Sequence, residues 1–275
     1  MTDLITEVQD LTDLAFEETE KRPGIGGSFL KTVRIEEGKR VIYKCPDLDP
    51  ELGFVGHEGV NELVASRLMK KLGIEGAEVR LLRAKVNAGG RQQETWVVRS
   101  EDFLKPGQDK ISLELFYEGE KRENETPLAF CERRGFGDAV YRMLILDYLI
   151  LNRDRHGKNM EVIRDKEKRE FRLAPLFDQG LSLLFRCRSE ADMEMLDVMA
   201  DRPVQCFVGS RSAAENLKLI PEEKWPKLPV LTDSDVDEIL SGLSDIMPEI
   251  WTEKVKSMLK GRWAVLQEML LKQMF

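Results

Sequence analysis

The reading turns on Leu151-Asn152-Arg153-Asp154-Arg155-His156-Gly157-Lys158-Asn159, answered downstream by Leu173-Ala174-Pro175-Leu176-Phe177-Asp178-Gln179-Gly180. The first stretch follows an apolar run, Asp138–Leu151, that reads as a buried helix, and precedes a strand-like run, Met160–Arg164. Polar side chains crowded onto a short loop beside a buried helix are costly to hold unless they are used. Asp154 and Asn159 stand five apart. That spacing suits an aspartate that orients a hydroxyl nucleophile and an amide oxygen that binds magnesium. Asp178, a carboxylate at a strand end with Gly180 close behind, is placed to bridge magnesium and nucleotide phosphates. Magnesium favours hard oxygen ligands, with phosphate and water completing the set.

Such chemistry also needs a cation from the N-terminal half. Lys44 ends the run Val41-Ile42-Tyr43-Lys44, on the same face as Ile42. Glu62 follows on a helix expected over His57–Leu72, off its apolar stripe and with Gly73 as the stop. A strand lysine held by a helix glutamate is how kinases fix the α- and β-phosphates. Lys31 and Glu58 are the alternative pair. Ahead of the lysine strand lies Gly24-Ile25-Gly26-Gly27-Ser28, whose backbone N–H groups at Gly26, Gly27 and Ser28 are candidates for phosphate contact. No Gly-Lys-Ser/Thr follows, so it is not a Walker A loop. The adenine is expected on backbone groups near Val98–Glu101. His156 is read as bracing the loop or touching substrate, Lys158 as reaching a phosphate or lying in solvent.

The segments NRDRHGKN and APLFDQG resemble the catalytic and metal-binding segments of HipA-like serine/threonine kinases, including the short CtkA-type members. The Asp-Arg-His element also looks like the catalytic loop of phosphoinositide kinases. The resemblance spans about residues 24–210 and is strongest over 147–182. It implies Asp154 as catalytic aspartate, with His156 and Lys158 beside it, and Asn159 and Asp178 as metal ligands. It implies ATP and Mg²⁺ as cofactors and a protein Ser or Thr as acceptor. In this family a helix beginning Asn-Glu has the register of Asn61-Glu62, and some members phosphorylate a serine in the glycine loop, which matches Ser28. Gln179 stands where conventional protein kinases carry phenylalanine, so no phenylalanine-driven switch is carried over. Asp147 matches the family's Asp-Tyr-Leu-Ile element and is read as a structural hydrogen-bonding group. An antitoxin-like regulator is a partner class that the resemblance admits. Toxin behaviour is not carried over, because only about 23 residues precede the matched region.

The implied fold class is α+β: a two-lobed protein-kinase-like fold with a β-rich N-lobe over 1–103 and a helical C-lobe over 104–275. Strands are expected at Phe29–Ile35, Val41–Cys45, Val79–Val86 and Glu94–Arg99, with Pro46–Gly56 as loop and 100–110 as a polar connector. A hairpin is expected at Met160–Arg164 and Glu170–Leu173. Residues 1–20 read as an acidic amphipathic helix striped by Leu4, Val8, Leu11 and Ala15, and the chain after 190 as mostly helical, ending in a helix over Trp251–Met274.

With 275 residues the core needs no metal or disulfide staple. The 42 basic against 50 acidic residues give a formal charge of −8, which argues against sequence-independent nucleic-acid binding as the main task. The four cysteines and two histidines form no zinc pattern, and reduced thiols in the cytoplasm are expected. No signal peptide or membrane span is expected.

Overall fold

The structure, a computed structural model, describes residues 3–18 and 28–273. Its N-terminal part holds strands β1 (Leu4–Asp10), β2 (Glu17–Glu18), β3 (Ser28–Glu36), β4 (Lys39–Asp49) and β5 (Gly53–Phe54), helix α1 (Glu58–Leu72), then β6 (Val79–Ala88) and β7 (Arg91–Glu101). These strands form one sheet in the order β1-β6-β7-β4-β3-β2, with β5 beside β4. Two-residue turns close its central hairpins. Glu37 and Gly38 between β3 and β4, and Gly89 and Gly90 between β6 and β7, all have positive φ, as a right-twisted hairpin requires.

Residues 4–10 are a strand, not the expected helix. The stripe Leu4, Val8, Leu11 fits a helical period, yet Ile5, Thr6 and Val8 are β-branched, and β6 would otherwise leave a row of backbone groups unpaired. β1 fills that edge in parallel, with Leu4 opposite Leu81 and Asp10 opposite Lys85. Leu11 and Leu14 then turn over the sheet and bury against Leu30, Tyr43, Val86 and Val97. The region expected as loop at 46–56 is also partly strand, since β4 continues to Asp49 and β5 follows.

α1 covers the other face of the sheet, packing on Val79, Leu81 and Val98. Gly59 allows the close approach, because a Cβ there would lie 2.9 Å from Leu81. The helix stops at Gly73, which has left-handed φ and donates to the Lys70 carbonyl.

The rest of the chain carries β8 (Gln108–Ser112), α2 (Leu113–Glu120), α3 (Pro127–Arg133), α4 (Gly137–Leu149), β9 (Asp154–Arg155), β10 (Glu161–Asp165), β11 (Glu170–Leu173), α5 (Glu190–Met195), β12 (Gln205–Cys206), α6 (Ala213–Leu217), α7 (Asp233–Leu240) and α8 (Glu249–Gln273). The expected hairpin is β10 and β11, with β8 added as a third strand. After residue 190 the chain is less helical than its composition suggests: α5, α6 and α7 are short and separated by irregular segments, and α8 alone is long. α4 is apolar over most of its surface because it is buried there: of the residues from Val140 to Leu149 all but Arg142 are buried. Among the described residues no helix is long and apolar enough to cross a membrane.

Candidate active site

Lys44 sits on β4, opposite Lys31 on one side and Val98 on the other. Its Nζ donates to both Glu62 oxygens, at 3.1 and 3.4 Å, and to Asp178 Oδ1 at 3.3 Å. Residues 134 positions apart in the chain thus meet at one ammonium. Glu62 lies on the second turn of α1 and is 5% exposed. Burial works against the Lys44 charge, but the Asp178 and Glu62 carboxylates outweigh it and hold its pKa above the ordinary lysine value. Burial raises Glu62, while Lys44 pulls it back toward the ionised form. Glu62, not Glu58, is the lysine's partner. Glu58 turns away, accepts from the Asp47 N–H at 3.2 Å, and is raised by burial to about 7.

Asp154 and Asn159 face each other across the loop after α4. Asn159 Nδ2 donates to the Asp154 carbonyl at 2.8 Å and to Asp154 Oδ2 at 3.2 Å. Both residues are buried. His156 Nε2 stands 3.7 Å from Asp154 Oδ1, and its Nδ1 accepts from the Lys158 N–H at 3.2 Å. The imidazole therefore braces the turn. The Lys158 side chain is exposed.

The loop is held from beneath by Asp147, read above as a structural hydrogen-bonding group, and by Arg155, to which the sequence reading gave no role. Asp147 on α4 receives Arg155 Nε and Nη2 at 2.9 Å each and Asn152 Nδ2 at 2.9 Å. Arg155, 1% exposed, also donates to the carbonyls of Asn159 and Phe177 at 3.2 Å. One buried guanidinium thus ties the Asp154 loop to the residue preceding Asp178. Burial works against the Arg155 charge, and Asp147 outweighs it, so its pKa stands above the ordinary value. The available signal was charge on both sides of Asp154, next to an apolar helix with Asp147 inside its most apolar stretch.

The segment after Asp178 is anchored on α1. Asn61 Nδ2 donates to the carbonyls of Gly180 and Ser182, both at 2.9 Å, and a Cβ on Gly180 would meet Glu58 Cβ at 2.9 Å. Gln179 is 1% exposed. Leu151, Asp178 and Leu183 all take positive φ around the site, a conformation that costs about 1–3 kcal/mol in bulky residues and persists where the surroundings impose it.

Five more residues of the reading remain to be placed. Gly26 and Gly27 lie outside the described residues. Ser28 opens β3 opposite Leu48. Val98 lies inside the ladder between β6 and β4 and is 1% exposed, so its backbone belongs to the sheet, not to a connector. Glu101 is the last residue of β7, paired with Val41 and ion-paired with Lys39 at 2.8 Å. The true connector is 102–107, where Phe103 stands 6.0 Å from the Phe177 ring beside Asp178.

The donor set fits a magnesium ion. Asn159 commits its NH₂ to Asp154, which turns its carbonyl oxygen away from that bond, and Asp178 supplies a carboxylate across the cleft. Among the described residues no group of three or more His, Cys, Asp or Glu side chains is arranged to hold a metal alone, so phosphate and water oxygens would complete the shell.

No protein-family model matches the chain, and no curated protein matches it. In structure it is similar to the Helicobacter pylori proinflammatory kinase CtkA, with a TM-score of 0.64 and 16% identity over 96% of this chain and 99% of that one. A chain from the Shewanella oneidensis MR-1 toxin–antitoxin complex of HipA, HipB and operator DNA aligns with a TM-score of 0.44 and 14% identity, over 93% of this chain and 60% of its own length. The likeness to CtkA shows the fold: an α+β kinase-like architecture with a sheet-based lobe and a helical lobe.

Proposed function

We propose that the chain is a HipA-like kinase that transfers the γ-phosphoryl of ATP, with Mg²⁺, to a Ser or Thr hydroxyl of a protein. The observation that carries this reading is the convergence of Lys44, Glu62 and Asp178 at one ammonium. Asp154 and Asn159 form a second, linked pair on the loop tied to Asp178 by Arg155. In this reading residues 1–103 are the lobe that grips the phosphates, and 104–275 the lobe with the catalytic and metal-binding loops.

In this reading Glu62 keeps the Lys44 side chain extended toward the α- and β-phosphates, and the two carboxylates beside Lys44 favour its charged form. Asn159 and Asp178 would hold magnesium, which when bound would neutralise phosphate charge. Asp154, fixed by the Asn159 amide, orients the acceptor hydroxyl and takes its proton as the O–P bond forms and ADP leaves. Most of the acceleration is positioning and electrostatics on a preorganised frame. Phe103 and Phe177 offer an apolar wall where the connector meets Asp178.

The test is incubation of purified protein with labelled ATP, with and without Mg²⁺, offering a cell lysate and phosphoinositide vesicles as separate acceptors. Magnesium-dependent label on protein Ser or Thr is expected, lost in Asp154→Asn by about 10²–10⁴-fold in rate. Efficient lipid labelling with no labelled protein would replace the protein acceptor by a lipid one. Equal turnover in Asp154→Asn would remove the catalytic assignment.

A further inference from the structure

α1 covers only part of the sheet face on which it packs. Arg83 and Trp96, paired across β6 and β7, follow Leu81 and Val98 at a spacing of two and so lie on the same face. Trp96 is only half-buried there, and Arg83 is exposed. A groove of about 720 Å³ opens over them. Glu94 lines it from the sheet, Thr6 from β1, Phe54 from β5, and Asp245 and Ile246 from the turn after α7. None of these residues belongs to the Lys44, Asp154 and Asp178 site.

The groove is built into the fold. Arg67 donates to the Ile239 and Ser241 carbonyls and to Asp3, which fixes the turn after α7 on the start of β1. A Cβ on Gly242 would lie 3.0 Å from Leu4, so the two segments are in close contact. The volume falls in the range of small-ligand sites.

Its polar groups are largely unused. Arg83 Nε donates to Glu94 Oε1 at 2.5 Å, so the guanidinium charge is taken up by that pair. Glu94 Oε2 and both Asp245 oxygens accept no hydrogen bond among the described residues. The Trp96 indole N–H has no acceptor among the described residues either, and unlike those of Trp225, Trp251 and Trp263 it is not buried. Two carboxylates against one paired guanidinium leave the groove negative. An ammonium brings three donors and no acceptor, which suits three open carboxylate oxygens. The face of a tryptophan attracts a cation within about 6 Å of the ring. An anion would meet two carboxylates and an arginine already paired.

We propose that this groove is a binding site for a small organic cation, an amine with an aryl or alkyl body. The ammonium would sit by Asp245 and Glu94 against the Trp96 ring, with the Thr6 hydroxyl near by and the apolar body along Phe54 and Ile246. Phe54 leads into α1 and Ile246 into α8, so the ligand would touch the approaches to both helices.

The inference does not rest on the assignment of phosphoryl transfer, and its test uses neither nucleotide nor turnover. Phenethylamine and 3-phenylpropionate, aromatic bodies of similar size and opposite charge, are titrated into the ¹⁵N-labelled full chain at constant ionic strength. The readout is the indole N–H signals of the four tryptophans. A paramagnetic agent in the solvent identifies the Trp96 signal, because its N–H is the one not buried. That signal is expected to move saturably with the amine and to stay in place with the carboxylate. Asp245→Asn is expected to weaken amine binding by about two- to fivefold, the scale of an exposed ion pair. Asp245 is exposed and makes no side-chain bond among the described residues, so this variant is expected to fold. Lys44→Met is expected to bind the amine as the wild type does. Absence of a saturable shift with the amine, an equal shift with the carboxylate, unchanged affinity in Asp245→Asn, or lost binding in Lys44→Met would each overturn the proposal.

Discussion

At the scale of single residues, the site is a balance of charges held out of water. Asp178 contributes to it twice, as the second carboxylate on Lys44 and as the proposed magnesium ligand. Asp178→Asn removes a full negative charge while keeping the shape. We expect magnesium-dependent nucleotide affinity to fall by about tenfold or more, since charge-assisted contacts contribute about 1.5–3 kcal/mol each. Nucleotide titrations with and without Mg²⁺ check this, and a variant that keeps the full magnesium dependence would exclude Asp178 as a ligand. Asp154, Asn159 and Asp178 were legible because their spacing around an apolar helix is chemically unusual. Arg155 was not, because an arginine beside an aspartate on a polar loop looks like solvated charge. Only its burial, and its grip on Asp147 and the Phe177 carbonyl, separates it from a surface arginine.

At the scale of the element, the N-terminus of α1 carries two adjacent groups with opposite pH responses. Burial raises Glu58 from the ordinary 4.5 to about 7, and lowers His57 from the ordinary 6.5 to about 4. The folded protein binds the Glu58 proton more tightly than the unfolded chain does. Its contribution is therefore fully present below pH 4.5 and is lost as pH rises through 7. The neutral His57 favours folding above pH 6.5, and that contribution is lost as pH falls toward 4. In the wild type the two slopes oppose each other. Glu58→Gln keeps the neutral shape and leaves the histidine slope uncovered. We expect the variant to gain on the wild type between pH 5 and 8, by up to about 3 kcal/mol, measured by urea unfolding at both pH values. Parallel curves would mean that Glu58 is solvated. The same scale holds the largest misreading. Residues 4–10 show a helical stripe, but strand or helix is decided there by whether β6 has a free edge, which lies some 70 residues away.

At the scale of the whole molecule, the sheet and the helical part share a continuous apolar core and are further joined by specific polar ties. Arg67 on α1 donates to both Asp3 oxygens at 2.7 and 2.8 Å and to the carbonyls of Ile239 and Ser241 at 2.8 Å. It binds the start of β1, α1 and the end of α7 at one point. Arg67→Ala strands two carbonyls and a carboxylate, so we expect a loss of about 2 kcal/mol or more in unfolding free energy. Calorimetry should show the drop while nucleotide affinity stays near wild type; a variant as stable as the parent would remove Arg67 as a tie. Arg188, from the segment after Asp178, reaches Asp47 on β4 at 3.0 Å in the same manner. What the amino-acid sequence determined alone was local: the hairpins with their glycine turns, the amphipathic α1 with its Gly73 stop, the apolar α4, and the residue types on the two polar loops. Each depends on neighbours within a few positions, where periodicity and turn chemistry act directly. What only the tertiary structure decided was which distant groups meet: Glu62 over Glu58 at Lys44, β1 at the edge of β6, and Arg155 beneath the loop. Those choices depend on burial and on charges brought together from remote parts of the chain, and such energies exist only once the chain has folded.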